Sequence, residues 1–107
     1  MTVELPRPVQ AVFDATNAGD TPAFLAAFTD DGVVDDWGRE FHGHDAIRRW
    51  SDGENIGVHA TLTPTAAEIR DGECVVTAMV SGGGFNGPSH FTFRTRDGRV
   101  SRMTIRA

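Results

Sequence analysis

A pair of aspartates at the end of a predicted strand is the feature of this chain best suited to chemistry. The dipeptide Val33-Val34 is typical of a strand, and Asp35, Asp36 and Trp37 follow it directly. Because successive side chains of a strand face opposite ways, one aspartate should point into the protein and its neighbour to water. Burial beside a tryptophan disfavours the charged form of a carboxylate, and proteins prepare a general base in this way. The alternative is two solvated aspartates at a frayed strand end.

Histidines are the other candidates for chemistry. His59 lies on a predicted strand, and if its side chain faces inward it could pair with Asp36 as a partner or proton relay. The alternative is an exposed strand histidine. His42, His44 and Asp45 have a spacing that could bring two imidazoles and a carboxylate to one metal ion. The same segment also fits the start of a helix, so we predict no metal site and no cofactor.

Aromatic side chains and one serine are candidates for the wall of a binding site. Trp37 and Trp50 could stack on a flat ligand, although packing in the core is the alternative for Trp50. Phe91 and Phe93 share a strand face with Ser89, so all three side chains should look into the interior. The sequence therefore predicts a mostly apolar site for a small hydrophobic molecule.

Three helices are predicted to position these residues. Apolar residues recur at helical spacing after Pro8, which suits a first turn, and Gly19 suits the end of that helix. Thr21-Pro22 supplies a cap and a first residue for a second helix. A third helix follows the histidine segment and stops at Gly53.

Four strands are predicted in the second half of the chain. Asp71-Gly72 and Asp97-Gly98 are hairpin signals, and Pro64 requires an edge strand or a bulge. The glycine-rich stretch 81–88 lacks the Gly-Lys-Ser/Thr of a phosphate loop, so we interpret it as a mobile loop whose Phe85 covers a pocket mouth. The predicted strands are 56–70, 73–82, 88–96 and 99–106.

These elements predict an α+β fold in a single domain, residues 1–107. The three N-terminal helices should cover one face of a strongly curved antiparallel sheet of about four to six strands. A bent sheet closed by helices is cone-shaped, and its apolar interior is a natural ligand pocket. The predicted core consists of Val12, Phe13, Phe24, Phe28, Trp50, Val76, Val80, Phe91 and Phe93.

Charge and composition restrict the partners of the chain. The net charge is −5 and no run of Lys and Arg occurs, which disfavours nucleic acid or an anionic membrane as a partner. We interpret the five arginines from Arg94 to Arg106 as a largely solvated face. The single cysteine, Cys74, and an N-terminus without a signal-peptide pattern favour a cytoplasmic location. No apolar stretch approaches the roughly 20 residues that span a bilayer.

Several short motifs, in this order and spacing, resemble the nuclear transport factor 2-like superfamily. They cover the chain from about residue 9 to its end, and the closest similarity is to the SnoaL-like and ketosteroid-isomerase-like proteins. The resemblance implies a cone-shaped, cystatin-like barrel, a deep pocket and a homodimer built through the sheet. The motifs are Asn17-Ala-Gly-Asp20, Phe28-Thr-Asp-Asp31, Val34-Asp-Asp36, Gly43, Ala46-Ile-Arg48, His90-Phe-Thr-Phe93 and Asp97-Gly-Arg-Val-Ser101.

The resemblance also assigns roles to three positions. The general base of the isomerases falls on Asp36, the tyrosine of their oxyanion hole on Val12, and their protonated aspartic acid on Ser89. Val12 donates no hydrogen bond and a serine donates more weakly than a carboxylic acid, so steroid isomerisation is not expected.

Three functions remain open at this point. The chain could be a SnoaL-like enzyme that uses Asp36 to move a proton on a hydrophobic carbonyl compound of polyketide or steroid type. It could be a binding module for a small apolar ligand. It could also be a dimeric interaction protein with a vestigial pocket.

Overall fold

The computed structural model describes residues 3–107 and confirms an α+β fold. Residues 1 and 2, which belong to the N-terminal segment that lacks a signal-peptide pattern, lie outside the described residues. No helix within residues 3–107 is long and apolar enough to cross a membrane. The helices are α1 (Arg7–Ala18), α2 (Thr21–Ala26) and α3 (Gly43–Glu54), and the strands are β1 (Phe28–Asp36), β2 (Arg39–His42), β3 (Thr61–Arg70), β4 (Glu73–Ser81), β5 (Gly87–Arg96) and β6 (Arg99–Arg106).

Turn residues end α1 and form the hairpins at the predicted positions. Gly19 has a φ of 67° and follows the last residue of α1. Asp71 and Asp97 each have a φ of 53° and precede a glycine, and they form the tight turns between β3 and β4 and between β5 and β6. The cap predicted for Thr21 is wrong, because the Oδ1 of Asp20 accepts a hydrogen bond of 3.1 Å from the backbone three residues on.

The six strands form one sheet in the order β2-β1-β6-β5-β4-β3. The prediction of an antiparallel sheet holds for four of the five neighbouring pairs, but β1 and β6 are parallel. These two strands are distant in the chain, so no hairpin fixes their relative direction. Their pairing places Asp36, at the end of β1, opposite Ile105.

The first long strand begins later than predicted. Residues Ile56–Val58 form a 3₁₀ turn and His59 has a φ of 55°, so β3 starts only at Thr61. Gly57 permits this turn, because an added Cβ would lie 1.5 Å from the carbonyl oxygen of Asp52. β3 is an edge strand with a bulge after Pro64, as predicted for a proline within a strand.

The helices cover one face of the sheet and enclose the apolar interior. Phe13 of α1 packs edge-on against Phe91, with ring centroids 5.6 Å apart. Asn17 fastens the end of α1 to the edge strand: its Nδ2 donates to the carbonyl of Leu62 at 2.9 Å, and its Oδ1 accepts from the Leu62 amide at 2.7 Å. The predicted core residues are buried, except that Val80 is half-buried.

Candidate functional site

A cavity of about 330 Å³ lies between the helices and the sheet. This volume is within the range of ligand pockets in proteins. Most of its wall is apolar, and its charged side chains are Asp36, Arg39 and Glu54. The apolar wall includes Val12, Phe24, Trp50, Leu62, Val80, Phe91, Met103 and Ile105.

Asp36 projects into this cavity with one oxygen held and the other available. Its Oδ2 accepts a hydrogen bond of 3.0 Å from Trp50 Nε1 and an ion-paired hydrogen bond of 2.7 Å from Arg39 Nη2. The side chain is 15% exposed. No residue in the range 3–107 donates a hydrogen bond to Oδ1. Both contacts are made to Oδ2, so they fix the orientation of the carboxylate and leave Oδ1 towards the cavity.

The β1–β2 hairpin explains the contact between Asp36 and Arg39. Trp37 and Gly38 form a two-residue turn, with φ values of 55° and 88°. The residues on either side of such a turn are cross-strand partners with side chains on the same face. Asp36 and Arg39 are paired in this way, and the hairpin therefore fixes the guanidinium beside the carboxylate.

Trp50, and not Trp37, is the tryptophan that contacts Asp36. Trp37 was predicted to shield the carboxylate, but it lies in the turn and is 59% exposed, at the rim of the cavity. Trp50 packs against Phe24 and Phe41, with ring centroids 6.4 and 6.3 Å away, and also holds Asp36. A buried indole N–H needs an acceptor, and this requirement is the sequence signal for that contact.

Arg39 links Asp36 to the end of α3. Its Nη2 and Nη1 donate to the two carboxylate oxygens of Glu54 at 2.7 and 3.0 Å. The hydrogen bond to Glu54, opposed in part by desolvation, raises the pKa of Arg39 above its ordinary value, so the guanidinium stays charged. Arg39 and Glu54 are absent from the predicted site residues, although Asp36 is among them.

Asp35 is buried on the outer face of the sheet, which corrects the expectation that it points to water. Its Oδ2 accepts from Arg102 at 2.8 Å, and its Oδ1 accepts from Arg106 at 3.0 Å and from the amide of Gly38 at 2.8 Å. The hydrogen bond from Arg106 is the main cause that holds the pKa of Asp35 below its ordinary value. These two arginines are therefore ion-paired, which corrects their interpretation as part of a solvated face.

A second set of polar residues in the cavity wall consists of Thr16, Asn55 and Ser89. Thr16 Oγ1 donates to the carbonyl of Val12 at 2.9 Å, and Asn55 Nδ2 lies 3.4 Å from Thr16 Oγ1. Asn55 is 7% exposed and Ser89 is 3% exposed. Thr16 and Asn55 are not among the predicted site residues. Their contact depends on the packing of α1 against the segment after α3, which sequence periodicity does not encode.

The remaining predicted site residues divide into two sets. Val12, Ser89 and Phe91 line the cavity together with Asp36 and both tryptophans. His59 is exposed and outside the cavity wall because it follows the 3₁₀ turn instead of lying on a strand, so it does not act as a relay. Phe93 is 1% exposed and packs in the core beyond the cavity wall.

The histidine segment and the glycine-rich loop have local partners. His42 Nε2 lies 3.0 Å from Glu40 Oε1, and His44 Nε2 lies 3.1 Å from the carbonyl oxygen of Phe28. Since α3 begins at Gly43, neither His44 nor Asp45 is its cap. In the glycine-rich loop, the half-exposed Phe85 lines the cavity at its rim.

Comparisons with known proteins agree with this architecture. A sequence model of the SnoaL-like domain matches residues 9–103. A crystal structure from Sinorhizobium meliloti, of a protein called a polyketide cyclase, is 31% identical with a TM-score of 0.83, over 95% of each chain. No curated protein matches the chain.

Two further structures are similar in fold at lower identity. One is a protein with a ketosteroid isomerase-like fold from Catenulispora acidiphila, in complex with trimethylamine: it is 22% identical with a TM-score of 0.80, over 97% of this chain and 87% of that chain. The other is an NTF2-like protein of unknown function from Cytophaga hutchinsonii: it is 8% identical with a TM-score of 0.81, over 99% of this chain and 91% of that chain.

Proposed function

The chain belongs to the SnoaL-like family, and from this premise we propose that it is a proton-transfer enzyme. Asp36 acts as the general base on a small hydrophobic carbonyl compound, of the polyketide type, that enters the cavity. The family alone does not decide the reaction, since one fold hosts many activities. The proposal therefore depends on the site.

One observation carries the proposal: Asp36 extends a single unpartnered oxygen into a mostly apolar cavity. Trp50 and Arg39 fix Oδ2, and the orientation of the carboxylate with it. A base held in one orientation within reach of the substrate carbon has an entropic advantage over a base in solution. Oδ1 then takes the proton of the carbon next to the carbonyl, and the C–H electron pair forms the enolate.

The weak basicity of carboxylates limits the substrate. Only a carbon acid whose enolate is delocalised, for example between two carbonyl groups or beside an aromatic ring, gives up a proton easily to such a base. Compounds of the polyketide type have this property. Such a substrate spreads the negative charge over its own atoms and needs less oxyanion stabilisation from the protein. The similarity to the protein from Sinorhizobium meliloti that is called a polyketide cyclase supports this class.

A second candidate is a binding module for an apolar ligand. The ion pair between Asp36 and Arg39 favours it, because a carboxylate neutralised by a guanidinium is also suited to orient a ligand without reacting. In that case the cavity would bind the same hydrophobic carbonyl compounds and release them unchanged. The two candidates differ in whether the bound ligand exchanges a proton.

Deuterium exchange tests the enzymatic proposal. The probe is 2-tetralone, a bicyclic ketone whose C1 protons lie between the carbonyl and an aromatic ring, and NMR in deuterated water measures the loss of its C1 signal. The wild-type chain should accelerate this exchange, and Asp36→Asn should lower the acceleration by roughly 100-fold or more, the usual contribution of a general base. Asp45→Asn, which removes an exposed carboxylate from α3, is the matched control. Equal acceleration by wild type and Asp36→Asn would refute the role of Asp36.

A further inference from the structure

The cavity contains polar atoms that the protein itself does not satisfy. Ser89 Oγ and Asn55 Oδ1 have no hydrogen-bond partner within residues 3–107, although both residues are more than nine-tenths buried. No fully enclosed side-chain polar atom in that range lacks a partner. The two oxygens are therefore not fully enclosed, and both residues line the cavity. Ser89 Oγ can donate to a ligand oxygen, whereas Asn55 Oδ1 only accepts, so a ligand hydroxyl would satisfy both atoms and a ligand carbonyl oxygen the serine alone.

Asn55 lies beside the segment of α1 where the resemblance places a tyrosine hydroxyl and this chain has Val12. Val12 lines the cavity, but its side chain has no polar atom. Thr16 lies one helical turn further along the same face, and Asn55 Nδ2 lies 3.4 Å from its Oγ1. This long contact leaves most of the donor capacity of the amide for another acceptor. The backbone of Asn55 is fixed, since its carbonyl accepts from the amides of Val58 and Ala60 at 3.2 and 3.1 Å.

Strand register sets the separation between this group and Asp36. Asp36 is opposite Ile105, and Ile105 is opposite Phe91 on the next strand. Ser89 is therefore two strands and two residues away from Asp36, roughly 12 Å along the sheet from the usual strand spacing and rise. Both side chains line one cavity of about 330 Å³. A bicyclic ligand can therefore contact both groups.

We propose that Asn55 and Ser89 form a subsite that binds an oxygen atom of the ligand, with Asn55 as the principal donor. This inference rests on the proposed function, because it assigns the carbonyl oxygen of the substrate to this subsite while Asp36 takes the proton. The amide after α3 then supplies the hydrogen bond that Val12 does not give. A combination of amide and hydroxyl both donates and accepts, so the subsite selects carbonyl and hydroxyl oxygens over a plain hydrocarbon.

A matched pair of ligands tests the subsite independently of catalysis. 2-Naphthol and naphthalene have the same rings, and only the first has an oxygen. NMR titrations of the 15N-labelled chain measure both affinities. Asn55→Leu should weaken the binding of 2-naphthol roughly three- to tenfold and leave naphthalene within twofold, because one neutral hydrogen bond is lost. Ser89→Ala should act in the same direction but less strongly. Gln10→Leu, which removes an exposed amide of α1, should change neither affinity.

The outcomes separate a binding role from a structural one. An equal loss for both ligands, or no loss for either, would overturn the subsite. If Asn55→Leu does not fold, the side-chain amide signals of Asn55 in the wild-type chain decide: they should shift with 2-naphthol and not with naphthalene, and an unchanged signal would contradict the proposal. The wild-type chain could also fail to accelerate the deuterium exchange of 2-tetralone while its binding of 2-naphthol still depends on Asn55. That result would remove the catalytic role of Asp36 and support the subsite.

Discussion

At the scale of single residues, two adjacent aspartates serve opposite purposes because they lie on opposite faces of β1. Asp36 faces the cavity, where Trp50 and Arg39 hold one of its oxygens. Asp35 faces outward and is held by Arg102 and Arg106. Alternation along a strand is enough to separate a candidate base from a structural ion pair. A shift of one residue in the strand would exchange the two roles.

The residues at the isomerase positions predict a weak activity that can be strengthened. Val12 and Ser89 are the positions at which the resemblance places the two donors of the isomerases, and both line the cavity. We expect isomerisation of 5-androstene-3,17-dione to be slower, by at least roughly several thousand-fold, than in the family's isomerases, which have two strong donors. The double variant Val12→Tyr and Ser89→Asp should raise it, as measured by the absorbance of the conjugated product. Fast isomerisation by the unmodified chain would show that the donor positions are misassigned.

At the scale of elements, Asp35 and Arg102 together link three strands. Asp35 lies on β1, its partners Arg102 and Arg106 lie on β6, and Arg102 also binds Glu40 of β2 at 2.8 Å. Asp35 and Glu40 are opposite each other in the β1–β2 register, so Arg102 offsets a repulsion between like charges. The hairpin that presents Asp36 is therefore anchored from the outer face of the sheet.

This anchor predicts a pH dependence of stability. Folding lowers the pKa of Asp35, mainly through its hydrogen bond with Arg106. The ionised carboxylate therefore stabilises the fold at pH values above the ordinary pKa of 3.8. This stabilisation is lost as the pH falls below 3.8 towards the pKa of the folded state. Asp35→Asn should lower the free energy of unfolding at about pH 7 by about 1–3 kcal/mol, measured by urea denaturation. At about pH 3 the difference from wild type should be smaller. Asp30→Asn, at a side chain that is 95% exposed, should change little, and a constant deficit for Asp35→Asn at both pH values would contradict the assignment.

The sequence was sufficient to predict those elements whose signals are local. The Asp-Gly hairpins, the end of α1 at Gly19 and the bulge at Pro64 each depend on a few adjacent residues. The contact of Asp36 with Arg39 could also have been predicted from the sequence, because a two-residue turn makes these residues cross-strand partners. The contact of Asn55 with Thr16 joins residues 39 positions apart, and it depends on how α1 packs against the segment after α3. Periodicity does not contain that information, which is why this part of the site was missed.

At the scale of the whole molecule, the outer face of the sheet is a candidate interface with a second copy of the chain. Its central strands present Val75, Thr77, Met79, Thr92 and Thr104, and Met79 is 47% exposed. We expect a homodimer at micromolar concentration in sedimentation velocity, because such apolar and hydroxyl side chains are suited to pairing. Met79→Glu should shift the chain to the monomer. Ile69→Glu is the matched control: it places the same charge at an exposed residue on the opposite face of the sheet, since Ile69 pairs with the buried Cys74. A monomeric wild-type chain would contradict the expectation.

A comparison of ligand affinity with the saturated exchange rate distinguishes an Asp36 that reacts with the ligand from one that only binds it. NMR titration gives the affinity of wild type and Asp36→Asn for 2-tetralone, and deuterium exchange at saturating 2-tetralone gives the rate for the bound ligand. We predict affinities within about threefold and a saturated rate at least roughly 100-fold lower in Asp36→Asn, since a general base acts on the transition state. A loss of affinity with an unchanged saturated rate would contradict the catalytic role of Asp36 and make it a ligand-binding residue alone.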